Sequence, residues 1–490
     1  MRLQLDASNM TIFAIAAGLW LLAAILLATE FGRHGFRWRA ILLSLFGFAW
    51  VGFGAGYILR FVILLCDPVL TRATQYPLWQ LPEADLGRAW GYLGLYWTVF
   101  CLGALGAFVA ARGVRPPLSA KMGRLELWAN VPILDLLAVT TFLSAVIVYA
   151  GGELVPGAVV TPLGHFSRLR VFPACVIWYL HFRGHRTGAR RYAYLVPGLA
   201  AFLLNPYREI LVEVFLCVFL PMLLVKGRAR RGGQAGFLRA ALIAGVMLMA
   251  FTVLVEVYRP MKWGEQSWET ASQYISWEQW VSKPEKAPWT EVSRRFHGFD
   301  SAALTFYLVP KFFPYENRSL SKEFVISLIP RGILLDKVRV QRGRIFSTSI
   351  WAYSGGGKVV RRPSAMIAPS MPGDLWSSGG MAAVLLGALA WGVLVGLLDG
   401  WRRRLPPGVA LALVAFLGLS VAAGFERDFV LASATIVQQA IVLLAVLAVA
   451  PLRGERRVAR AAEAATACGE SAAVAAPGLP IAGMGRSDLR

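Results

Sequence analysis

Long apolar runs alternate with short polar gaps along this chain, and within the runs polar and apolar positions do not alternate. Eleven runs ask for a helix: 10–31, 40–65, 89–111, 130–150, 163–182, 192–205, 209–225, 236–258, 377–399, 405–424 and 429–451. A helix crossing a membrane needs about 20 mostly apolar residues. An open strand in lipid would leave backbone groups unsatisfied, and a closed barrel would show alternation. The pattern predicts an all-α, polytopic membrane protein with about 11 transmembrane helices. One pair of runs departs from it. Residues 192–225 hold two runs and a turn in 34 residues, where two full spans need about 40. The turn Asn205-Pro206-Tyr207-Arg208-Glu209 is therefore expected below the membrane surface, in a cavity lined by protein.

Four regions follow. Residues 1–258 make a first bundle, 259–376 one long segment, 377–451 a closing bundle and 452–490 a tail. The end of the tail, 461–490, is rich in Ala and Gly, lacks an amphipathic period and reads as disordered. The long segment is not a plain linker. Trp263, Trp268, Trp277, Trp280 and Trp289 suit anchoring at the membrane interface or stacking on sugar rings. Ser301–Pro310 and Phe324–Leu335 are predicted to be helices lying on or dipping into the bilayer, the second as an amphipathic cap over the cavity. The stretch from Gly355-Gly356-Gly357 to Gly373 reads as a mobile loop. No internal repeat is visible, which argues against a transporter built from duplicated halves.

Composition agrees with the pattern: 57% of residues are hydrophobic and mean hydropathy is +0.56. Ordinary soluble domains are less apolar. A net charge of +22 could suggest nucleic acid, but its placement excludes that reading. Arginine and lysine clusters follow the first, third, fifth, seventh, ninth and last runs, at 33–39, 112–124, 183–191, 226–231, 402–404 and 453–460. The alternate short gaps hold far fewer. By the positive-inside rule the N-terminus and 259–376 lie outside and the C-terminus inside. No small-residue cleavage site follows the first run, so it is expected to stay as a helix. Cys66, Cys101, Cys175, Cys217 and Cys468 form no C-x-x-C pair and read mainly as small packing residues. No HExxH, DxD or P-loop pattern occurs, so neither a metal nor another cofactor is expected.

Arginines expected on the outer side are the candidate chemistry. A charge at membrane depth is costly and marks function by default, so Arg208 reads as an anion-binding residue, against the alternatives of a pair with Glu209 or a snorkelling side chain. Arg60, Arg168, Arg170, Arg294, Arg295, Arg331, Lys337 and Arg427 fall on the same side. Singly, each suits the surface. Together, planar guanidinium forks suit a phosphate or diphosphate. Without a carboxylate-bound metal, the donor points to a lipid-linked diphosphate.

Three stretches carry a resemblance. Leu204-Asn205-Pro206-Tyr207-Arg208-Glu209-Ile210-Leu211 resembles the arginine-bearing turn of oligosaccharide repeat-unit polymerases, the Wzy-type O-antigen polymerase family. Ser327-Leu328-Ile329-Pro330-Arg331-Gly332-Ile333-Leu334-Leu335-Asp336-Lys337 is similar to that family's loop element, although Lys337 is followed by Val338 where the family often has Pro. The run from Ser370 to Gly380 resembles the start of the helix after the loop. The resemblance covers about residues 190–400. It implies a membrane glycosyltransferase of the bacterial inner membrane that makes O-antigen or exopolysaccharide from an undecaprenyl-diphosphate-linked oligosaccharide, with a flippase and a chain-length regulator as partners. A hydroxyl of the incoming unit attacks the anomeric carbon of the growing chain, and the lipid diphosphate leaves. Arg208 and Arg331 match the family's charge-stabilising positions. His297, Asp300, Glu426 and Asp428 are candidate general bases among which the sequence does not choose. The competing readings are a lipid-linked glycan ligase and a transporter or flippase of lipid-linked sugars.

Overall fold

The computed structural model of the 490-residue chain describes residues 7–31, 43–66, 81–116, 118–126, 131–150, 156–229, much of 242–262, 277–282, 297–329 and 369–449. Contacts divide the chain into Met1–Val449 and Ala450–Arg490, and the described residues all belong to the first unit. Every described element is a helix. In chain order the principal ones are α1 (Ala7–Phe31), α2 (Leu45–Cys66), α3 (Glu83–Ala111), α4 (Val131–Ala150), α5 (Gly157–Arg168), α6 (Val171–Phe182), α7 (Val196–Leu204) and α8 (Arg208–Ala229). They continue with α9 (Gly298–Leu308), α10 (Leu320–Leu328), α11 (Met371–Arg402), α12 (Pro407–Gly424) and α13 (Phe429–Val449).

Seven of these, α1 to α4 and α11 to α13, are long and apolar enough to cross a membrane, and the chain is a multi-pass membrane protein. The other four expected spans fare differently. The run 163–182 is divided between α5 and α6 at Leu169-Arg170. The run 192–205 carries α7, only nine residues long. The run 209–225 lies inside α8. The run 236–258 is described only in part, and is helical where described.

The centre of the bundle is the pair α3 and α11. Gly103 of α3 and Gly392, Gly396 and Gly400 of α11 let the two backbones touch. A Cβ at Gly392 would collide with the carbonyl oxygen of Phe100, and one at Gly396 with that of Ala104. In lipid there is little hydrophobic force between helices, so this close backbone approach supplies the packing attraction. Aromatic rings fill the space beside it. Phe53 stacks on Trp97 at 4.6 Å and Trp97 on Phe100 at 5.1 Å, while Phe425 presents its edge to Phe53, Phe100 and Trp391.

Helix ends sort into two sets. At one end Asp399 accepts from the N–H groups of Leu45 at 3.0 Å and Phe46 at 2.8 Å, and Glu126 accepts from Val409 N–H at 2.9 Å. Each carboxylate meets orphan donors at the positive start of another helix. This end carries the arginine clusters at 112–124, 183–191 and 402–404. At the other end Asn9 Nδ2 donates to Glu83 O at 3.0 Å, and Phe425 O accepts from Tyr57 Oη at 2.7 Å and Met371 N–H at 3.0 Å.

Two helices from the long segment 259–376 shape this second end. α9 starts at Gly298, three residues before the expected helix, and all of it but Tyr307 is buried. It packs among α2, α3 and α11, with Phe299 stacked on Trp90 at 5.0 Å. α10 starts four residues before the expected 324–335, of which 330–335 lie outside the described residues. Ser319 caps its start by accepting from Lys322 N–H at 3.4 Å. It ends at Leu328 because Pro330 disfavours a helical residue before it, and Ile329 is extended at φ −73°, ψ 127°. α11 likewise starts earlier than its expected 377, at Met371, and breaks at Gly379-Gly380. Gly380 adopts φ +64° beside the Tyr315 ring, a conformation that favours glycine. The expected loop 355–373 lies outside the described residues up to 368.

Candidate functional site

The site grows from an irregularity in α2. Residues Gly54–Leu59 form a π-helical stretch directly before Arg60. Such stretches are often found at functional positions. Gly52 and Gly56 lie against Ala422 and Glu426, so this part of α2 sits tight on the end of α12 and the turn after it. Arg60 then points into the protein. Its Nε lies 3.2 and 3.3 Å from the two oxygens of Asp300, and its Nη2 donates to Asp300 Oδ2 at 2.7 Å. Both side chains are buried. The fork geometry is the strong form of an ion pair. Asp300 also stands in the first turn of α9, where the helix dipole favours a carboxylate. His297, half-buried, is the residue just before that helix.

A second carboxyl lies beside the pair. The buried Phe425, held through its carbonyl by Tyr57 and Met371, fixes the turn that carries Glu426. The Glu426 carboxylate accepts from Gly298 N–H, also at the start of α9. A Cβ at residue 56 would stand 3.1 Å from Glu426 Oε1, so glycine there makes room for it. Oε1 is buried and has no hydrogen-bond partner. Burial pushes the Glu426 carboxyl up to about 8; Arg427 draws it down, Asp300 raises it, and Arg60 and the Gly298 N–H draw it down. Near neutral pH it is mostly protonated, within reach of either role in proton transfer.

The exposed part of the cluster is cationic. Arg427 Nη2 donates to Glu209 Oε1 at 2.7 Å, and Arg168 Nη2 lies 3.8 Å from Glu209 Oε2. All three side chains are partly exposed, so two arginines face one carboxylate at the surface. Glu209 is in the first turn of α8, one residue after Arg208. Its partners are thus Arg427 and Arg168, from distant parts of the chain. One turn deeper, buried Arg170 donates to Glu213 Oε2 at 2.5 Å and to Ser167 O at 2.9 Å.

Of the residues singled out from sequence, the structure brings Arg60 to Asp300 and Arg168 to Arg427. It sets Arg170 in the break between α5 and α6, paired with Glu213. Arg208 is the first residue of α8, and its side chain lies outside the described residues, as do Arg294, Arg295, Arg331 and Lys337.

Sequence reasoning missed one arginine. Arg318 donates to Glu323 Oε2 at 2.7 Å, Asp374 Oδ1 at 2.6 Å and Ser378 Oγ at 2.7 Å, and its Nε lies 2.6 Å from Glu316 Oε2. The carboxylates raise its pKa against the opposing effect of burial. Asp374 Oδ2 in turn accepts from Phe429 N–H at 3.0 Å. This knot ties residues 314–323 to the starts of α11 and α13. The local signal was the pair Glu316 and Glu323 flanking Arg318, two residues before it and five after. Asp374, 56 positions away, gave none. Among the described residues no three His, Cys, Asp or Glu side chains converge on a place that could hold a metal. No protein-family model, curated protein or solved structure matches the chain.

Proposed function

We propose that the chain is a bacterial inner-membrane glycosyltransferase that polymerises oligosaccharide repeat units carried on undecaprenyl diphosphate, and that the reaction takes place at the Glu209 end of the bundle, on the outer face. The observation that carries this reading is the convergence of Arg168 and Arg427 on the helix start that also bears Arg208. Guanidinium groups gathered at one mouth suit a diphosphate. The resemblance of the Arg208 turn to the polymerase family supplies the reaction.

Roles follow from burial. Arg60 and Asp300 hold each other and act as a strut under the site, which takes Asp300 out of the running as a base. Glu426 takes that role, because its carboxyl is held without a full set of partners. In the reaction the acceptor hydroxyl adds to the anomeric carbon and loses its proton to Glu426 in its ionised form, which grows as pH rises toward about 8. The bond from that carbon to the diphosphate oxygen breaks. Arg208, Arg168 and Arg427 stabilise the charge that builds on the departing diphosphate. The arginine-rich end, with Arg112, Arg183 and Arg402, faces the cytoplasm.

The test is reconstitution. The full chain in lipid vesicles, given undecaprenyl-diphosphate-linked repeat units from its own host, should yield a ladder of lengthened glycans. Transfer only to a different acceptor supports a ligase. Donor left unchanged overturns the transferase reading.

A further inference from the structure

A second cavity lies at the opposite end of the bundle from the proposed transfer site. It occupies about 400 Å³ between α1, α2, α3 and α11. Leu22 and Leu26 of α1, Cys101, Leu105 and Phe108 of α3, and Asp399 of α11 are among its walls. Leu22, Leu26 and Leu105 are exposed, so the cavity opens sideways toward the lipid. Most of its polar groups are already used, while the buried Trp97 Nε1 has no hydrogen-bond partner. Thr98 Oγ1 donates to Gly94 O at 2.8 Å, and Asp399 accepts from Leu45, Phe46 and Arg402. The walls are almost wholly apolar, and an apolar cavity stays dry until an apolar group fills it. From Thr98 to Phe108 the wall rises about 15 Å, half of the roughly 30 Å hydrocarbon core and so the depth of one leaflet.

The cavity is cationic beside Phe108 and Asp399. Arg112 Cζ stands 4.8 Å from the centre of the Phe108 ring and Arg403 Cζ stands 4.3 Å from it, while Arg402 Nε donates to Asp399 Oδ1 at 2.8 Å. Three guanidinium groups thus gather at two wall residues. Basic pockets between helices on the cytoplasmic side suit anionic lipid head groups. The apolar space open to lipid and the cations beside it call for the same molecule. We propose that this cavity holds one acyl chain of an anionic glycerophospholipid, with its phosphate among Arg112, Arg402 and Arg403. The site is independent of the glycosyl-transfer reading.

Native mass spectrometry of the detergent-purified full chain, titrated with phosphatidylglycerol and with phosphatidylethanolamine, tests it. Phosphatidylglycerol should bind more tightly. Arg112→Ala with Arg403→Ala should weaken it by about 30-fold, at roughly a factor of five per charge, and leave phosphatidylethanolamine little changed. Cys101→Trp, which fills the cavity, should weaken both lipids while the arginines remain. Phosphatidylglycerol bearing a photoreactive group midway along an acyl chain should label 19–26 and 97–108 in the unmodified protein, which needs no variant to fold. Equal affinity for the two lipids, full phosphatidylglycerol binding by the double arginine variant, or labelling confined to other helices would each overturn the proposal.

Discussion

Arg60 and Asp300 are 240 positions apart, yet each is the other's buried counter-charge. Removing one partner of such a pair strands the other, at a cost of about 3–5 kcal/mol. Asp300→Ala should therefore lower the melting temperature of the purified protein sharply. Replacing both, Arg60→Met with Asp300→Leu, should recover most of the loss; a double variant as unstable as the single one would mean that the pair contributes more than mutual neutralisation. Glu426 gives a pH effect with a definite sign. Its folded pKa, about 8, lies above the ordinary 4.5. The stability tied to its neutral form is complete below the ordinary value and is lost as pH rises through about 8. Melting temperature should fall between about pH 5 and pH 8 and level off above, and Glu426→Gln should flatten that limb. An equal fall in the variant would assign the titration to another group. At this scale the sequence exposed the cations and hid their partners. Arg60, Arg168, Arg170 and Arg427 stood out as charges beside apolar runs. Nothing local linked them to Asp300, Glu209 or Glu213, because long-range pairing leaves no periodicity.

Seven helices were legible as apolar runs because lipid imposes both length and composition on a spanning segment. The breaks were harder. Leu169-Arg170 divides a continuous apolar run, and only the distant Glu213 accounts for the arginine there. The first turns of α11, Met371 to Trp376, read as loop from their Pro and Gly, but Arg318 and Phe429 secure Asp374 within a helix. The contact of α3 with α11 was also out of reach, since Gly392, Gly396 and Gly400 show their role only against the facing backbone. That contact makes a direct prediction. Gly396→Val would push a side chain into the Ala104 carbonyl, and overpacking of this kind costs about 1–3 kcal/mol or more. Gly106→Val, on α3 with open space around it, should cost little. Comparable folded yields in detergent for the two variants would contradict the close α3–α11 approach.

For the molecule as a whole, helix ends meet in two sets. The contacts Asn9–Glu83, Tyr57–Phe425 and Arg427–Glu209 gather at one end, and Asp399–Leu45 and Glu126–Val409 at the other. Within the segment 259–376 the burial of α9 was not legible: a short helix as apolar as Phe299–Leu308 finds more to pack against among α2, α3 and α11 than at the surface. That burial brings Asp300 under the site and leaves Arg168, Arg427 and the Arg208 turn at the mouth. The central claim is that this mouth stabilises a leaving diphosphate. Its most direct test is the amount and length of polymer made by Arg208→Ala at matched protein level. Losing one charge contact of this kind costs about 10²–10³ in rate, so polymer should nearly vanish while the protein stays folded and membrane-inserted, and Arg208→Lys should restore little because an ammonium lacks the planar fork. Polymer of normal length and amount from Arg208→Ala would contradict the account.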